Sequence, residues 1–95
     1  MKGEFRLAIL KKDLQQLNSV NDELLKILLS QAEAAILREG ISLMEDDIES
    51  EMAVIQYAAY LFRKRAGTDT AMPRFLRLQL NNILFSQKAR KGSST

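Results

Sequence analysis

Apolar positions recur along this 95-residue chain at spacings of three and four, the signature of helices that each bury one face. From about Glu4 to Lys12, Phe5, Ala8, Ile9 and Lys12 fall on one side of a short helix, with Leu7 and Leu10 nearby. A firmer helix is predicted near Asn21–Glu39. Asn21 is placed to cap it, Asp22 and Glu23 suit the positive end of its dipole, and Val20 with Leu25 fit a hydrophobic staple. Its apolar face is Leu25, Leu28, Leu29, Ala32, Ala35 and Ile36, and Gly40 followed by Ile41 closes it.

A third helix is expected over Asp47–Ala66, capped at Asp46 or Asp47 with Glu49 as in a capping box. Ile48, Met52, Ile55, Ala59 and Phe62 form one stripe, and Val54, Ala58 and Leu61 a second. A helix apolar on most sides is the buried centre of its domain. Arg63, Lys64 and Arg65 complement its last turn, and Gly67 stops it. The fourth helix, Pro73–Ala89, opens on a proline suited to a first helical position. Leu76, Leu80, Ile83 and Leu84 make its core stripe, which Phe75, Leu78 and Phe85 widen, while Arg74, Arg77 and Asn81 share another face. The pattern therefore predicts an all-α bundle of three long helices and a shorter N-terminal one. Residues 1–89 form the helical domain and 90–95 a flexible, basic C-terminal tail.

Composition narrows the chemistry. Cysteine and histidine are both absent, which removes disulfides, cysteine–histidine metal sites and histidine acid–base catalysis. No apolar run approaches the roughly 20 residues of a bilayer span, and the charged N-terminus does not read as a secretory signal. The net charge of +2 conceals a strong division. Residues 1–12 carry four cations and one anion, residues 13–61 two cations and ten anions, and residues 62–95 eight cations and one anion. An acidic middle and a basic end suit electrostatic pairing between copies, or a nucleic-acid patch.

Each candidate site has a plain structural explanation beside it. The run Glu45, Asp46, Asp47, Glu49, Glu51 lacks the order of a helix–loop–helix calcium site and is accounted for by helix capping. Arg63, Lys64, Arg65, Arg74, Arg77, Lys88, Arg90 and Lys91 are placed to grip phosphates, yet dipole compensation and solvation explain them as well. A helix-turn-helix reading is weaker still, because the link from Arg65 to Pro73 is longer than the usual turn of about three or four residues between such helices. Tyr57 and Tyr60 read as core-edge residues, and Asn81-Asn82 is the local oddity in an apolar helix. Nothing calls for a catalytic centre, a metal or a cofactor. Two classes stay open: a non-enzymatic assembly protein and a small helical nucleic-acid-binding regulator.

The series YAAYLFRKR (57–65), MPRFLR (72–77) and LNNILFSQK (80–88) resembles the head-tail connector, or adaptor, proteins of tailed double-stranded DNA phages. LKKDLQ (10–15), DELL (22–25) and AILREGI (35–41) extend the likeness over nearly the whole chain. The resemblance implies a virion structural protein of phage or prophage. It would form a ring, twelvefold in the virion, below the portal at the head-tail junction, and assemble in the host cytoplasm. The ring would extend the DNA channel without sequence-specific binding and offer a platform to the next head-completion or tail protein. In that family the C-terminal segment docks on the portal, here Lys88, Ala89, Arg90 and Lys91 onward. Arg63, Lys64, Arg65, Arg74, Arg77, Asn81, Glu45, Asp46 and Glu49 are the candidate subunit-interface or channel-facing residues. Leu78-Gln79 stands where members often carry an aromatic-Ala pair.

Overall fold

A computed structural model describes residues 2–16, 18–43, 47–67 and 71–93. Four helices account for the architecture, and no strand occurs among the described residues. They are α1 (Lys2–Leu14), α2 (Asp22–Arg38), α3 (Ile48–Arg65) and α4 (Arg74–Ser93). The molecule is elongated, 49 × 31 × 18 Å. Helix α3 is the centre: α1 and α2 pack on it and on each other, while α4 packs chiefly on α3.

The burial of α3 follows from its composition. Ala53, Val54, Ile55, Ala58, Ala59 and Tyr60 are all buried, as are Ser50 and Glu51. The alanines in this set let neighbouring backbones approach closely, so both predicted stripes are used. Met52, Leu61 and Phe62 are only half-buried against this core, and Ile48 is exposed at the N-terminal end. From α2 come Leu25, Leu28, Leu29, Ala32 and Ile36, the predicted face except for half-buried Ala35. From α4 come Leu76, Leu80 and Ile83.

Helix ends show how local chemistry fixes the boundaries. Gly40 (φ +93°) and Gly67 (φ +82°) take left-handed conformations and donate to the Leu37 and Lys64 carbonyls, closing α2 and α3. Helix α1 ends in the same way without a glycine. Gln15 adopts φ +59°, with Gln15 N–H donating to Lys12 O and Gln16 N–H to Lys11 O. That is a Schellman closure on a residue that disfavours it. Asp47 caps α3, accepting from the Glu49 backbone N–H and from Ser50 Oγ, so serine rather than the Glu49 side chain completes the cap. Pro73 sits one position before α4, its carbonyl accepting from Leu76 and Arg77.

Four features differ from what the sequence leads one to expect. Asn21 makes no side-chain cap bond, and Val20 is 81% exposed, so no staple forms; Asn21 Nδ2 instead donates to Gln16 Oε1. On α1 the inward face is Arg6 and Leu10, with Leu7, Ile9 and Leu14 partly covered, whereas Phe5, Ala8 and Lys12 face water. On α4, Phe75, Leu78 and Phe85 do not widen the core but are exposed. Finally, α4 runs through Ser93 instead of giving way to a tail at Ala89. Lys88, Ala89, Arg90 and Lys91 are good helix formers, and nothing before Gly92 opposes continuation.

Candidate functional site: an inward arginine and an outward cationic helix

Two arginines organise the polar structure, and they sit in contrasting settings. Arg6 on α1 is 5% exposed. Its Nε donates to Glu51 Oε1 at 2.8 Å and its Nη2 to Glu51 Oε2 at 3.0 Å, a bidentate pair with α3. Nη1 donates to Glu33 on α2. One guanidinium thus joins three helices. Its hydrogen bonds to Glu51 hold its pKa above the ordinary arginine value; burial opposes this and Glu33 adds to it. Beside it lies an open groove of about 410 Å³ between α1 and α2, lined by Glu4, Arg6, Leu7, Lys26, Leu29, Ser30 and Glu33.

Arg77 makes the second clamp. Its Nη1 and Nη2 each donate to Glu39 at 2.8 Å, and Nη1 also reaches Asn81 Oδ1 at 3.4 Å. This fastens the first turns of α4 to the end of α2. Arg77 lowers the Glu39 pKa, chiefly by hydrogen bonding, against an opposing effect of burial. Further along α4 a second tie appears: Gln87 accepts from Ser42 N–H at 2.9 Å and donates to Ser42 O at 2.7 Å.

The remaining candidate residues divide by position. Arg63, half-buried, lies 3.4 Å from Asp13 and ties the end of α3 to α1. Lys64 Nζ stands 5.8 Å from the Tyr60 ring centroid, and Tyr60 packs edge-on against Tyr57 with centroids 6.0 Å apart. Arg65, Arg74, Lys88 and Ala89 are exposed, as is Glu49. Arg90 and Lys91 lie in the last turns of α4, and Glu45 and Asp46 lie outside the described residues. Arg77 and Asn81 come together, whereas Arg63 and Arg77 are drawn to carboxylates on different helices, α1 and the end of α2. Helix α4 contains no acidic residue over its 20 positions.

Sequence reasoning missed the Arg6 cluster, because an arginine at a core position breaks the apolar stripe that marks a helix face. The usable signal was spacing: Arg6 and Leu10 are four apart, as are Leu10 and Leu14. Comparison with family models, with curated proteins and with solved structures finds no match.

Two outcomes test these clamps. Glu51→Ala leaves a buried guanidinium with one partner and should cost about 3–5 kcal/mol in a urea melt, whereas the paired change Arg6→Met with Glu51→Met should recover most of that loss. Glu39 has a folded-state pKa below its unfolded value, so its contribution to stability is present at neutral pH and fades as acid takes the pH down through the folded value. Carboxyl NMR titration should find Glu39 below the ordinary glutamate range, and Arg77→Ala should return it there.

Proposed function

We propose that this chain is a structural component of a phage or prophage head-tail junction, assembling as a ring below the portal. The observation that carries the proposal is the ordered series of segments resembling the connector family, which fall on α1, α2, α3 and α4 in turn. The all-helical architecture is compatible with that family's small bundles. Helix α4 supports the reading further, being free of acidic residues and carrying exposed aromatic side chains beside exposed cations. Such a helix suits contact with a larger acidic or apolar partner surface. In this reading Lys88 to Thr95 dock on the portal, and DNA passes through the ring without being read. The nucleic-acid-binding alternative is less well supported, because Arg63 and Arg77 are engaged with Asp13 and Glu39.

The test is capture by the portal ring encoded in the same genome. The full chain should be retained on immobilised portal, and the chain lacking Lys88–Thr95 should keep its helical circular dichroism but lose retention. Equal retention of the truncated chain removes the docking role from this segment. No retention of either chain, combined with duplex DNA binding at moderate salt, favours the regulator instead.

A further inference from the structure

Three of the exposed large apolar side chains lie on one stripe of α4: Phe75 at 59%, Leu78 at 52% and Phe85 at 68% exposure. With Asn82 and Ala89 they recur at alternating spacings of three and four, so they share one face. Arg74, Asn81 and Lys88, seven residues apart, run along one flank of that stripe. Two such stripes facing each other would set like charges side by side, since α4 offers no carboxylate to separate them. A two-fold contact of α4 with α4 is therefore disfavoured.

The same chain carries a surface of the opposite character. The groove between α1 and α2 is floored by Leu7 and Leu29, and it has room for a phenyl ring. Glu4 and Glu33 stand on its rim, and Glu23 projects from α2 with its side chain 89% exposed. Two cations face them, Lys26, paired with Glu23, and Arg6, which bonds Glu33 and is also neutralised by Glu51 behind it, so the rim keeps a net negative charge. Along the adjoining face of α2, Ile27, Ser30, Ala34 and Leu37 are exposed, with the small residues in the middle. Large side chains on one surface thus match a hollow on the other, and a cationic flank matches a net-acidic rim.

We infer that the Phe75–Leu78–Phe85 stripe of one copy seats in the α1–α2 groove of a second copy. The two surfaces share no residue, so the contact is heterologous: each copy keeps one stripe and one groove open until the assembly closes. This inference rests on the self-association in the proposed function and names the surfaces that make it. The aromatic side chains supply the anchoring burial, and the flanking charges set register and speed encounter.

Because the chain has no cysteine, engineered thiols report the contact cleanly. Chains carrying Ser30→Cys are mixed under oxidising conditions with chains carrying Phe75→Cys, Leu78→Cys or Phe85→Cys. All four positions are exposed, so the fold is not at risk. The expected result is a disulfide-linked dimer in at least one mixture and in no single-variant sample. Phe75→Ala with Phe85→Ala should also weaken self-association in sedimentation by roughly thirtyfold, the fold-change of a 2 kcal/mol anchor. Cross-linking of the Phe85→Cys chain to itself, or no cross-link in any mixture, overturns the inference. Portal capture without these cross-links leaves the proposed function standing and removes this interface; cross-links without portal capture do the reverse.

Discussion

The burial of α3 is the constraint on which the rest of the structure depends. A chain of this length has material for one core, and it builds that core around a single central helix. Ala53, Ala58 and Ala59 bring neighbouring backbones close, while Val54 and Ile55 fill the space between. Glu51 is part of the same constraint: a carboxylate at a buried position obliges a cation to follow it inside, and Arg6 is that cation. The short α1 is thereby held by a directional pair as well as by Leu10, which a marginal helix needs more than a long one.

With α3 enclosed, each outer helix has one face in the core and one in water. Helices α1 and α2 cover each other in part, packing together as well as on α3. Helix α4 is attached by Leu76, Leu80 and Ile83, by the Arg77–Glu39 clamp and by the Gln87–Ser42 pair. These contacts leave Phe75, Leu78 and Phe85 in solvent. The exposed stripe is thus a consequence of how the core is shared.

Much of the fold was legible in the sequence. The apolar face of α2, the glycine closures at Gly40 and Gly67 and the Asp47 cap each rest on local chemistry that a sequence displays directly. What escaped depended on tertiary context. Val20 has nothing to pack against, so a staple motif came to nothing. Gln15 turns left-handed without the glycine that would announce it. Phe75, Leu78 and Phe85 read as core because hydrophobicity does not say whether the surface that buries a residue belongs to the same chain. The candidate cations were visible as types, but which of them are engaged, as Arg63 and Arg77 are, required the partners to be placed.

Hydrogen exchange along α3 and α4 tests most directly the claim that one buried helix carries the fold while an outer helix awaits a partner. In the dilute isolated chain, α3 amides should exchange slowest, and those beyond Phe85 in α4 should exchange far faster. On assembly, the α4 amides should gain protection while those of α3 change little. Protection of the whole of α4 equal to that of α3 in the dilute chain, with no change on assembly, would contradict it.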